Sequence, residues 1–178
     1  MLKRLLLVTL TFHVATVLAH AHGPSRKKEI TTIEINAPAD KVWAVVSNYQ
    51  DMTWHPDITK TEATGGMEVE KAKRTLTFKS GAVFTDGLLD YQPESKLIGF
   101  MTDVEDLKTL PVEGYTSTLI VKDAGGGKST VEWKGAFYRG YMNNNPPPEL
   151  SDDAAVKAIS AYQKRGLDGL KAKLEAGG

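Results

Sequence analysis

The sequence predicts an α+β fold in which a curved antiparallel sheet wraps around a long carboxy-terminal helix. Two patterns predict it. From Ile58 to Tyr138 apolar and polar residues mostly alternate, in runs divided by short turn-forming segments. Beyond Ser151, Val156, Ile159, Leu167, Leu170 and Leu174 recur instead on one helical stripe.

The elements follow in chain order. Alternation at Ile30 to Ile35 predicts a first strand. Pro38 suits a first helical turn, Asp40 complements the helix dipole, and Val42, Trp43 and Val46 repeat at helical spacing. Candidate strands then cover Ile58–Thr64, Lys73–Phe78, Val83–Tyr91, Leu97–Thr102, Tyr115–Lys122 and Ser129–Tyr138. Gly65-Gly66, Ser80-Gly81, Gln92-Pro93-Glu94-Ser95 and Asp123 to Gly127 supply the turns, and connections this short join antiparallel neighbours. Asn143 to Pro148 cannot continue a strand. Ser151 can cap the last helix, with Asp152 and Asp153 in its first turn. Gly166 and Gly169 each weaken that helix by about 1 kcal/mol relative to Ala, which points to close packing against the sheet. A helix of about six turns covers a whole curved sheet, and the space between the two layers is a natural cavity.

A chain of 178 residues falls within the roughly 100–200 residues of one domain. Lys+Arg and Asp+Glu both total 22, so there is no basic excess and nucleic acid is not an expected partner. Cysteine is absent, which excludes thiolate catalysis and Cys-ligated metal. Neither HExxH, GxSxG nor any metal-ligand spacing occurs after the first 21 residues, so no metal and no cofactor is predicted. Lys3 and Arg4 precede an apolar run from Leu5 to Leu18 that ends in Val17-Leu18-Ala19-His20-Ala21. This layout predicts a secretory signal peptide over residues 1–21, a polar tether over 22–28 and one domain over 29–176. The run is too short for a comfortable membrane span, so the mature chain is expected without one and in a periplasmic or secreted location.

Ile33 to Trp43 and Trp54-His55-Pro56 resemble the first strand, first helix and following loop of the START-like superfamily (SRPBCC), in its polyketide cyclase/dehydrase and lipid-transport branch. Leu110 to Leu119, Ser129 to Gly140 and Asn145-Pro146-Pro147-Pro148 resemble the MxaD type within it, exported accessory proteins of bacterial methanol oxidation. The resemblance implies a helix-grip fold with a pocket between sheet and helix. It also implies a periplasmic role supporting methanol dehydrogenase and its cytochrome partner.

Several residues are candidates for a site. His55 has a side chain suited to acid/base work near neutral pH, or else sits in a loop where Trp54 packs and His55 makes one hydrogen bond. Strand alternation groups Val131, Trp133 and Phe137 on one face, and Arg74, Leu76 and Phe78 on another. Trp54, His55, Arg74, Leu76, Phe100, Met101, Trp133 and Phe137 are the expected lining of a site for a small apolar ligand, with Arg74 as polar anchor; the alternative is a packed core. The carboxylates Asp86, Asp90, Asp103, Glu105 and Asp106 are expected in solvated or turn-capping roles. Arg139 and Tyr141 are expected to contact a partner, in a link that could equally be a rigid spacer. Gly125 to Thr130 is not a phosphate loop, because it joins two strands and lacks the first glycine, Lys122 standing in its place.

Two functions follow. The first is a binding and accessory module without chemistry of its own. The second is a cyclase or dehydratase in which His55 moves a proton and Arg74 or Tyr138 stabilises developing negative charge.

Overall fold

A computed structural model describes residues 23–176. The predicted signal segment, residues 1–21, lies outside them. Seven strands, β1 (Lys27–Ile35), β2 (Ile58–Thr64), β3 (Lys73–Phe78), β4 (Val83–Gln92), β5 (Leu97–Asp103), β6 (Val112–Gly125) and β7 (Lys128–Arg139), form one sheet. Two helices accompany it, α1 (Ala39–Val46) and α2 (Asp152–Glu175). The strand order is β1-β7-β6-β5-β4-β3-β2, with every neighbour antiparallel. The predicted α+β helix-grip architecture is the one present.

Local chemistry accounts for the boundaries. Lys27 and Lys28, expected in the polar tether, already pair with Phe137 and Ala136, so β1 begins earlier than its apolar alternation suggests. Backbone pairing to β7 decides this, and such pairing does not depend on side-chain polarity. Pro38 precedes α1 rather than opening its first turn, and its carbonyl accepts from the N–H of Lys41 and of Val42. Gly126 and Gly127 both have positive φ, at 62° and 75°, which is the two-residue hairpin geometry that suits the twist between β6 and β7. Ser151 caps α2 by accepting a 3.3 Å hydrogen bond from Ala154 N–H.

The concave face of the sheet and one face of α2 enclose the core. Ile159, Leu167, Leu170 and Leu174 of α2 are buried as the stripe predicts. Val156 is only partly buried, and Ala155, Tyr162 and Gln163 take inner positions instead. Trp133 is fully buried and meets Tyr162 edge to face at 5.4 Å between centroids. The sheet reaches the helix here, at Gly166: a Cβ there would sit 2.6 Å from Trp133 Cζ3 and 2.5 Å from His55 Cδ2. At Gly169 a Cβ would sit 2.5 Å from the Trp54 carbonyl oxygen and 2.7 Å from Pro56 Cδ. The two glycines therefore serve close packing, and mostly against the Trp54–Pro56 segment rather than the sheet alone.

This gives a test with a diagnostic sign. Helix propensity alone would make Gly166→Ala more stable by about 1 kcal/mol. Overpacking two ring systems costs about 1–3 kcal/mol and acts in the opposite direction. Gly166→Ala is expected to lower the urea midpoint. A raised midpoint would show that α2 does not approach this closely.

Candidate functional site

Three groups of buried polar side chains line up along the apolar core. The first is His55. The segment between α1 and β2 carries it inward, and its ring is fully buried, stacked on Tyr162 at 4.3 Å and edge-on to Trp133 at 6.1 Å. Nδ1 accepts from the Asp57 backbone N–H at 3.1 Å, so Nε2 carries the proton and donates to the Tyr162 carbonyl at 3.0 Å. Burial pushes its pKa down to about 4, against the raising influence of Asp57 and of the Tyr162 bond. At neutral pH the ring is uncharged and both nitrogens are engaged. Of the two readings of His55, this geometry fits the packed loop rather than the acid/base alternative, with two hydrogen bonds in place of one, and it fastens the loop to the helix.

The second group is an ion pair. Arg74 on β3 and Asp86 on β4 sit opposite each other in register, 3% and 0% exposed. Arg74 Nε donates to Asp86 Oδ2 at 2.8 Å, and Thr102 Oγ1 donates to Asp86 Oδ1 at 2.6 Å. Arg74 Nη2 also lies 2.7 Å from Oδ2, without the alignment of a hydrogen bond, and has no other partner. The guanidinium lies between the Tyr49 and Phe100 rings, 4.5 and 4.6 Å from their centroids. Arg74 thus points inward as an anchor should, but its charge is already matched. Asp86 was expected in solvent or a turn. The signal that places it inside is its period-two position between Phe84 and Leu88, both fully buried.

The third group joins the sheet to α2. Trp133 Nε1 donates to Ser117 Oγ at 3.1 Å, and Thr31 Oγ1 donates to Gln163 Oε1 at 2.9 Å. Tyr115 Oη and Gln163 Nε2 are buried between them without a hydrogen-bond partner. Burial pushes the Tyr115 pKa up to about 12, and Ser117 and Gln163 are close enough to oppose the shift without reaching hydrogen-bonding geometry. Tyr115 and Gln163 were not singled out from sequence. Gln163 was legible, since it falls four residues from both Ile159 and Leu167 on the buried stripe.

The expected lining is brought together only in part. Leu76, Phe100, Trp133 and Phe137 share the inner face, each no more than 2% exposed, and Trp54 packs at 5.9 Å from Trp133. They pack as a core, and five clefts at the surface are lined by other residues. Met101 does not belong with them. It is 42% exposed on the outer face, as its neighbour Phe100 points in and successive strand residues alternate. Tyr138 is also on the outer face, where Arg26 lies 5.8 Å from its ring, so Tyr138 cannot act with Arg74 or His55. Arg139 is only 7% exposed. It donates to the carbonyls of Tyr141 and Asn143 at 2.7 and 2.9 Å and lies 3.5 Å from Asp152. A contact role for Arg139 is therefore corrected to a clip that holds the link to α2, while Tyr141 remains partly accessible. Among the described residues no three His, Asp or Glu side chains converge on a point.

The family of polyketide cyclase/dehydrase and lipid-transport proteins matches residues 30–175. The chain belongs to this family. No curated protein sequence matches it. Among solved structures, an uncharacterised protein from Bacillus thuringiensis is 23% identical with a TM-score of 0.70, covering 83% of this chain and 98% of its own. Norcoclaurine synthase from Thalictrum flavum is 17% identical with a TM-score of 0.64, covering 86% of this chain and 96% of its own. The ZhuI aromatase/cyclase from Streptomyces sp. R1128 is 16% identical with a TM-score of 0.63, covering 85% and 94%. These likenesses establish the family's fold in this chain and leave its activity to be argued from the residues.

Two outcomes test the site. His55 has a folded pKa near 4 against an ordinary value of 6.5. Its contribution is therefore whole above pH 6.5 and is lost as pH falls towards 4, where the unfolded chain binds the proton first. The loss is on the order of 3 kcal/mol, and the slope of urea stability between pH 6.5 and 4.5 should largely vanish in His55→Gln. Arg139→Ala leaves two loop carbonyls unmatched and Asp152 with Lys27 alone, 3.4 Å away, and should cost about 2 kcal/mol or more. An unchanged melting temperature would return Arg139 to the surface.

Proposed function

We propose that this protein is an exported, non-catalytic accessory module that supports a periplasmic methanol dehydrogenase and its cytochrome partner. The observation that carries the non-catalytic half is the state of His55 and Arg74. One has both nitrogens bonded inside the core, and the other is paired with Asp86. The cyclase or dehydratase chemistry expected of these residues needs His55 free to move a proton and Arg74 free to meet developing negative charge.

The dehydrogenase half is supported by the resemblance of Leu110–Leu119, Ser129–Gly140 and Asn145–Pro148 to the MxaD type. The link from β7 to α2 offers a surface for such a contact. Arg139 holds it from beneath, Met142 is 50% exposed at its crest, and the prolines beyond limit the entropy lost on binding. A small apolar ligand belongs to the same reading only if α2 moves off the sheet, because Trp133, Tyr162 and Phe78 now fill that space.

Pull-down from periplasmic extract is the direct test. The dehydrogenase or its cytochrome should be retained, and the paired Tyr141→Ala and Met142→Ala changes should weaken retention by about tenfold with little effect on melting. If neither is retained, and electron transfer between them is unchanged on adding the protein, the accessory role is wrong. A catalytic role would instead be revealed by turnover that His55→Gln reduces by orders of magnitude.

A further inference from the structure

We propose that a cleft beside the middle of α2, where the β3–β4 turn and the β5–β6 connection approach it, binds the anionic oxygen head, carboxylate or phosphate, of a small amphiphile. The cleft has a volume of about 300 Å³ and is lined by Asp57, Phe78, Lys79, Ser80, Lys108, Thr109 and Arg165. That volume is at the lower end of the range for small-ligand sites. The inference extends the binding reading to a place outside the packed interior and needs no dehydrogenase.

Charge is the first argument. Three cations and one carboxylate line the cleft, in a chain whose formal net charge is zero. The carboxylate is spent: Asp57 Oδ2 accepts from Arg165 Nε at 2.9 Å and from Nη2 at 2.6 Å. Lys79 and Lys108 make no ion pair among the described residues. Asp106 lies near enough to Lys108 to feel its charge, but its oxygens turn back to the Lys108 N–H at 3.0 Å and the Thr109 hydroxyl at 2.8 Å. Unmatched cations gathered in a cleft with a low-dielectric wall favour an incoming anion.

The second argument is construction. Lys79 belongs to the β3–β4 turn, Lys108 to the β5–β6 connection and Arg165 to α2. The Ser80 and Thr109 hydroxyls are 3.2 Å apart and tie the two loops together, which sets the spacing between Lys79 and Lys108. The Lys79 N–H donates to the Asp57 carbonyl at 2.8 Å and joins the third wall. The apolar part of the wall is Phe78, itself 4% exposed and packed on Phe84 at 4.6 Å and Tyr162 at 6.1 Å. A head group held by the cations would bring its apolar tail to the small part of this ring that lines the cleft, at the rim of the core.

The test titrates the full mature chain with decanoate and decyl phosphate below micelle formation, with decanol, and with acetate and inorganic phosphate. Amide shifts in NMR give both place and affinity. Decanoate and decyl phosphate should shift residues of the cleft and bind at least about tenfold tighter than decanol or the tail-free anions. The exposed pair Lys79→Gln and Lys108→Gln should remove that advantage without changing the melting temperature, and Lys122→Gln with Lys157→Gln should keep it. Equal binding of decanol, equal loss in the control pair, or shifts elsewhere in the molecule would each overturn the proposal. Lysine-dependent sedimentation with phosphatidylglycerol vesicles, without binding of the monomeric amphiphiles, would overturn it in favour of membrane docking. None of these outcomes bears on retention of a dehydrogenase, so the two proposals fail separately.

Discussion

At Gly166, helix α2, the Trp133 ring and the His55 ring meet with no room for a methyl group between them. The rest of the molecule is arranged around that approach. Trp133 fixes β7, the central hydrogen bond of His55 to the Tyr162 carbonyl fixes the segment after α1, and Pro56 packs one turn further along the helix. Because interiors are close-packed, a small displacement here would be felt by all three elements together. The same contact leaves His55 neutral, since burial costs a charge at this depth more than the nearby Asp57 carboxylate returns.

The buried ion pair of Arg74 and Asp86 acts in a different way. Burying two charges is costly, and their mutual attraction with the Thr102 bond offsets that cost only in one geometry. Tyr49 Oη also donates to the Asp86 carbonyl at 2.9 Å, so the end of the α1 segment is tied to the same point. A register slip of one residue in β3 or β4 would turn one charge outward and strand the other. The pair therefore discriminates between pairings of the two strands more than it adds to their stability.

The sequence revealed the strands and both α-helices because their signals are local, though β1 begins three residues earlier than its alternation suggests and β6 runs three residues further at each end. Alternation, turn glycines and prolines, and the Ser151 cap all act within a few positions. The interior chemistry was less legible because it depends on partners distant in the chain. His55 finds Tyr162 and Trp133 finds Ser117; the carbonyls that Arg139 finds are near in the chain, but their direction is set by the loop. Some of it was readable nonetheless. Phe100 and Met101 are adjacent and could not both line one face, and Asp86 shares its period with Phe84 and Leu88. Which face is inner, and whether the space behind it is open or filled, required the side chains themselves.

The pairing of β1 with β7 has a kinetic meaning. Ile30 faces Lys134, so the first strand waits for one about a hundred residues later before its backbone is matched. Closing so long a loop costs entropy before any contact repays it, and long-range pairings of this kind fold more slowly than local ones. Until β7 has emerged and docked, β1 has no neighbour in the sheet, and α2 has no completed surface to cover. The chain thus remains unfinished through most of its synthesis, a state in which it can be threaded through a pore or held by a chaperone, and in which a truncation after β6 would leave two open strand edges prone to pair with other chains.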